Sequence, residues 1–278
     1  MTDGGTPDAV AAARQRPGQA LLEVRELVKT FRRGTRTVEA IDRFSLTVND
    51  GEFVAIVGPS GCGKSTFLHI LGGFEPYDSG TMLLNGAAIK GPGPDRGMLF
   101  QEFALYPWRS VIGNVGWALE VQGKPRAERI AAAERYLKLV GLSAFRDAYP
   151  AELSGGMKQR VALARVLAFE PRILLMDEPF GALDAQTREL MQEELNTIWQ
   201  ETRNTVLFVT HDIDEAIYLA DRVIVFTARP GRIKDEVNIA LERPRRADVR
   251  KSAGYIAYRN RVWDSLRAEV LKAREEFQ

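Results

Sequence analysis

The sequence predicts an α/β fold flanked by an antiparallel sheet and interrupted by an all-helical insertion, and three observations carry that expectation. FVAIV at 53–57, ILLM at 173–176, TVLFV at 205–209 and RVIVF at 222–226 are nearly continuous apolar runs. Such runs suit a parallel sheet covered on both faces. Helical spacing lies between them, as in Met191, Leu195, Ile198 and Trp199 after Leu183-Asp184. Near the start, LLEVRELVKTF, TVEAI and FSLTV read as strands, with Phe44, Leu46 and Val48 alternating, and TMLLNG closes a hairpin at Asn85-Gly86.

In chain order, residues 1 to about 20 are rich in Gly, Ala, Pro and charge without either period, which predicts a loose tail. An antiparallel β subdomain starts at Leu21, and the apolar strands follow. Between about Glu102 and Arg165 the strand signal disappears, and Ile130, Ala133, Leu137 and Val140 mark one face of a helix. A helical subdomain is therefore expected over about 102–165, inside a main domain spanning 21–240. Beyond Arg229 a Pro/Arg-rich stretch ends in ERPRRADVRK, and Tyr255, Tyr258, Val262, Leu266 and Val270 then recur at helical spacing. That pattern predicts a helical extension over 241–278 packed on the body.

The chain has 278 residues, 45% of them hydrophobic, enough for a substantial core. Its 38 basic and 37 acidic residues leave a net charge of +1, so no overall field selects nucleic acid or an anionic membrane. The single cysteine, Cys62, cannot form an internal disulfide, which fits a reducing compartment and predicts a cytoplasmic protein. No apolar run approaches the roughly 20 residues needed to cross a bilayer. The opening residues also lack the apolar core of a secretory signal.

Residues 58–66 read GPSGCGKST, a G-x-x-x-x-G-K-[ST] loop between an apolar strand and a helical segment. In this loop, comprising Gly58, Pro59, Ser60, Gly61, Cys62, Gly63, Lys64, Ser65 and Thr66, the glycines let backbone N–H groups converge on phosphate oxygens. The helix start adds a partial positive charge. Lys64 would reach the β- and γ-phosphates, and Ser65 would place its hydroxyl on Mg²⁺. Alone, this loop implies a nucleoside triphosphate and leaves kinases, GTPases and ATPases open. Asp177 ends the strand ILLM at the carboxyl edge of the sheet, where ligands of open α/β folds bind. It is expected to hold Mg²⁺ through water, and its neighbour Glu178 to polarise the attacking water. His211 follows TVLFVT to the same edge, within reach of a γ-phosphate, whereas His69 in the helix after the loop is expected to be packing.

Residues 153–160 read LSGGMKQR ahead of the ILLMDEP strand. With this segment the chain resembles the ABC (ATP-binding cassette) ATPases, from about Leu21 to Asp235. The resemblance implies a P-loop NTPase core with an antiparallel β subdomain and an inserted helical subdomain. It further implies that Phe31 stacks on adenine, that Gln101 senses Mg²⁺ and the γ-phosphate, and that Gly181-Ala182-Leu183-Asp184 is exchanged between subunits. Ser154, Gly155 and Gly156 form a second anion-binding helix start. In the family that signature closes over the cradle of the partner copy, so two ATP molecules are held in a head-to-tail homodimer.

Leu105, Tyr106, Pro107 and Trp108 are expected to be exposed and, by the same resemblance, to receive a coupling helix from a membrane permease. Without a membrane span, the chain is expected to be the peripheral ATPase of a multi-subunit importer at the cytoplasmic face of the membrane. An extracytoplasmic solute-binding protein would be an indirect partner. PWRSVIGNV, TARPGRIKDEV and RPRR look like the subfamily for nitrate, sulfonates, taurine and related solutes, and the residues that choose the solute lie in other chains. The alternative is a soluble ABC ATPase acting as a nucleic-acid or ribosome clamp. Balanced charge and the absence of a second cassette or long coiled coil speak against it. A small-molecule kinase would leave LSGGMKQR unexplained.

Overall fold

The computed structural model describes residues 19–275, so the tail expected over residues 1 to about 20 lies outside the described residues except for its last two. Two long strands open the fold, β1 (Ala20–Arg33) and β2 (Arg36–Asn49). They join β4 (Ser79–Leu84) and β5 (Ala87–Ala88) in an antiparallel sheet of order β2-β1-β4-β5. The β4–β5 hairpin turns on Asn85 and Gly86, whose φ values of 51° and 75° are those of a type I′ turn. TVEAI and FSLTV are one continuous strand, broken only by register shifts against β1.

The second sheet contains β3 (Phe53–Val57), β6 (Arg96–Leu99), β7 (Ile173–Asp177), β8 (Thr205–Val209), β9 (Arg222–Phe226) and β10 (Ile233–Asn238), in the order β10-β9-β3-β8-β7-β6. All neighbours pair in parallel except the β9–β10 hairpin. The near-continuous apolar runs follow from two-sided burial. Phe53, Ala55 and Val57 of β3 face one core, while Val54 and Ile56 face another.

That second core holds helix α1 (Lys64–Gly72) between the two sheets, with the Phe67 ring tilted against Phe44 of the antiparallel sheet, centroids 4.7 Å apart. On the other face lie α2 (Val111–Val121), α3 (Arg126–Leu139), α4 (Gly155–Leu167), α5 (Ala185–Thr202), α6 (Ile213–Leu219) and α7 (Ala253–Glu275). From 102 to 165 no strand occurs, in line with the helical expectation. Ala133, Leu137 and Val140 of its predicted face are buried.

α7 packs through Tyr255, Val262 and Leu266, three of the five positions its periodicity named, with Tyr258 and Val270 partly buried against the same core. The Pro/Arg-rich stretch before it is not a solvated run. Buried Arg245 donates to the carbonyls of Ile217, Tyr218 and Ala220 at the end of α6, and burial, followed by the neighbouring Arg243, pulls its pKa down to about 10. No helix among the described residues is long and apolar enough to cross a membrane.

Candidate functional site

The register of the mixed sheet brings its chemistry to one edge. Asp177 pairs with Val209, Val209 with Ile56, and Ile56 with Ile224, so β7, β8, β3 and β9 end side by side. The residues that follow three of these strands are Glu178, His211 and the 58–66 loop.

Within the loop, Gly61 and Gly63 take φ values of 73° and 110°, which side-chain-bearing residues rarely adopt. A Cβ on Gly63 would also stand 2.6 Å from the Ala40 carbonyl oxygen. Gly63→Ala is therefore expected to lower unfolding stability by about 2–4 kcal/mol, read by urea denaturation. Lys64, 6% exposed, donates to the carbonyls of Gly58 at 2.8 Å and Pro59 at 2.9 Å, so its ammonium lies across the loop it belongs to.

Ser65 donates from its hydroxyl to Asp177 Oδ1 at 2.9 Å, joining two of the residues that the sequence assigned to a cation. Burial raises the Asp177 pKa and the carboxylate of Glu178 adds to the rise, while the Ser65 hydrogen bond, His69 and Lys64 oppose it. Glu178 sits at φ 44°. Its backbone is held by its own N–H to Val209 and by the Gly181 N–H to its carbonyl. Backbone strain of this kind persists only where the surroundings over-determine it. His211 Nδ1 lies 3.0 Å from Glu178 Oε2, so the two residues predicted from separate strand ends form one pair.

His69 departs from its expected packing role. It is half-buried in the last turn of α1, with Nε2 3.9 Å from Asp177 Oδ2 at the end of β7. Helical position alone could not distinguish that direction from the core-facing one.

Gln101 follows β6 and is exposed, with its amide against Gly181: a Cβ there would stand 3.3 Å from Gln101 Nε2. No hydrogen bond among the described residues joins it to Ser65 or Asp177. Phe31, near the end of β1, is 38% exposed with the Lys29 ammonium 4.7 Å from its ring centroid. Lys29 is ion-paired to Glu75 at 2.6 Å.

The signature lies elsewhere on the chain. Ser154 caps α4 by accepting from the Met157 N–H, and Gly155 and Gly156 abut Leu183 and Thr187 at the start of α5. Asp184 caps α5 through the Thr187 N–H, which lowers its pKa. Among the described residues no hydrogen bond links Ser154, Gly155 or Gly156 to the 58–66 loop.

The expected exposed segment is only half exposed. Leu105 packs against the main core and the Tyr106 ring lies tilted against Trp117, with centroids 4.8 Å apart, leaving Pro107 and Trp108 outside, the latter 71% exposed. The hydroxyl and carboxylate at Ser65 and Asp177 are hard oxygen donors of the kind Mg²⁺ takes. No group of three or more His, Cys, Asp or Glu among the described residues could hold a metal ion alone. The donor set therefore suits an ion that arrives with substrate phosphates and keeps several waters.

Comparison with known proteins agrees with this geometry. The family model described as ABC transporter matches residues 41–181. The nitrate import ATP-binding protein of Synechocystis is 49% identical over 79% of this chain and 83% of its own length. The taurine import ATP-binding protein of Rhizobium johnstonii is 53% identical over 71% and 76%. Among solved structures, the dimeric post-hydrolysis state of the ATP-binding cassette MJ0796 with ADP and Pi superposes with a TM-score of 0.69 at 32% identity, covering 80% of this chain and all of that one.

Proposed function

The chain belongs to the ABC transporter family, and on that premise we propose that it is the ATP-hydrolysing subunit of a multi-subunit importer, working as a homodimer against a separate membrane permease. The observation that carries this reading is the convergence at one sheet edge of the phosphate loop, the Ser65–Asp177 pair and the Glu178–His211 pair.

Lys64 and the loop N–H groups bind the triphosphate. Ser65 and Asp177 hold Mg²⁺, which when bound neutralises charge on the phosphate oxygens. Glu178 orients the attacking water and takes up its proton, and His211, bonded to that carboxylate, fixes its direction toward the γ-phosphate. Gln101, whose amide lies against Gly181, senses the γ-phosphate and Mg²⁺. Phe31, exposed beside Lys29, offers its ring to adenine.

Ser154, Gly155 and Gly156 serve the partner's nucleotide, and Asp184 stands in the loop exchanged between copies. ATP favours the closed dimer because the γ-phosphate touches both copies, and hydrolysis removes that differential contact. Pro107 and Trp108 form the apolar part of the permease contact. The nitrate and taurine relatives support uptake of a small solute of that kind, with the chain on the cytoplasmic side of the membrane.

Mixing two inactive variants tests the shared site. Lys64→Ala destroys the cradle and Ser154→Arg the signature, yet a mixed dimer contains one site built from an intact cradle and an intact signature. Random pairing is expected to restore about a quarter of the wild-type ATPase rate. If the mixture stays inactive, the site is not shared between copies. For the solute, a strain deleted for this chain is expected to lose uptake of labelled nitrate or taurine, and unchanged uptake of both would remove that assignment.

A further inference from the structure

The TARPG turn between β9 and β10 has no part in the reading above, yet it is closed on itself and fastened on two sides. Thr227 N–H donates to the Arg232 carbonyl at 2.9 Å and its hydroxyl to the Pro230 carbonyl at 2.7 Å, closing the turn on itself. On one side Gly231 N–H donates to the Ala40 carbonyl at 2.9 Å, the same oxygen that crowds Gly63. A Cβ on Gly231 would stand 2.6 Å from the Cys62 carbonyl oxygen, so the turn lies directly against the phosphate loop. On the other side Ala228 N–H donates at 2.9 Å to Oε2 of Glu269 in α7. That carboxylate is 1% exposed and ion-paired to Lys272 at 3.1 Å and Lys234 at 3.5 Å.

The residue between these anchors is Arg229, half-buried, whose Nη2 and Nε both donate to the Gly61 carbonyl, at 3.1 and 3.3 Å. Gly61 is the loop glycine at φ 73°.

We propose that Arg229 is a positioning residue for the phosphate cradle, seated by Glu269 of the C-terminal helix. A glycine-rich loop has large backbone freedom, and ordering it opposes nucleotide binding unless something outside the loop already holds it. Two N–H donors of one planar guanidinium on one carbonyl fix the Gly61–Cys62 peptide plane, since that plane rotates as a unit. Because the bond holds cradle backbone and touches no reacting atom, it acts on affinity for ATP and ADP alike and leaves the chemical step alone. α7 thereby connects to the nucleotide through a chain of three contacts, Glu269 to Ala228, Arg229 to Gly61, and the cradle to the phosphates.

The inference rests on the ATPase reading, and wild-type turnover separates the two. If the wild-type protein does not hydrolyse ATP, that reading falls. If it does and Arg229→Ala behaves like it, only the present inference falls. Arg229→Ala is expected to raise the KM for ATP and the Kd for ADP about fivefold to tenfold, the size of one charge-assisted hydrogen bond at a half-exposed site, with kcat within about twofold. Arg229→Lys, which keeps the charge but loses the planar two-donor fork, is expected to recover only part of the loss. Glu269→Ala should reproduce part of the KM rise and add nothing in the double variant, because it acts through Arg229. Should Glu269→Ala fail to fold, the two Arg229 variants decide by themselves. An unchanged KM in Arg229→Ala, a fall in kcat at unchanged KM, or a lysine variant no better than alanine would overturn the proposal.

Discussion

Glu178→Gln is expected to cut ATP turnover by about 10²- to 10⁴-fold while nucleotide binding persists. The carboxamide has the shape of the carboxylate and keeps an oxygen to accept from His211, but it cannot take up a proton from water. The backbone at φ 44° is held by main-chain bonds to Val209 and Gly181, which the substitution leaves in place, so geometry and basicity are separated cleanly. With hydrolysis blocked and the γ-phosphate retained, the closed homodimer accumulates. Size-exclusion chromatography of the variant with ATP and Mg²⁺ should show an apparent mass near twice that of the 31.0 kDa chain. A persistent monomer that nevertheless binds ATP would contradict the sandwich.

Lys64→Ala should fail one step earlier. Lys64 is 6% exposed and its ammonium donates to two loop carbonyls, so its removal costs the cradle both its charge and its internal brace. Charge-assisted bonds to phosphate contribute about 1.5–3 kcal/mol each, so loss of the contacts to the β- and γ-phosphates should weaken ATP binding at least about 100-fold. Equilibrium binding of a fluorescent ATP analogue measures this directly. Wild-type affinity in Lys64→Ala would place the triphosphate away from the 58–66 loop. The two variants thus differ in kind, one binding without turnover and the other losing binding itself.

Strand positions were legible wherever burial on both faces left an uninterrupted apolar run. FVAIV, TVLFV and RVIVF are strands over those residues, and ILLM extends by one residue to Asp177. The edge strand β6, RGML, carries no such signal, since it is four residues long and Gly97 in its middle has no side chain to announce a face. Leu105 and Tyr106 were expected outside as part of one apolar patch with Pro107 and Trp108. Packing against the main core and Trp117 takes them in and leaves Pro107 and Trp108.

By itself the sequence determined the local chemistry of this protein: a phosphate loop whose glycines are needed for its backbone angles, a strand ending in two carboxylates, and a histidine at another strand end. These follow from short-range rules, because backbone conformation and strand direction depend on residues close in the chain. Only the tertiary structure decided which of those ends meet and what supports them. The Ser65–Asp177 bond spans 112 positions, Arg229 reaches a carbonyl 168 positions earlier, and His69 turns toward Asp177 through the placement of α1 between two sheets. The physical reason is that side-chain direction across such separations is set by sheet order and packing, which no local pattern of residues encodes.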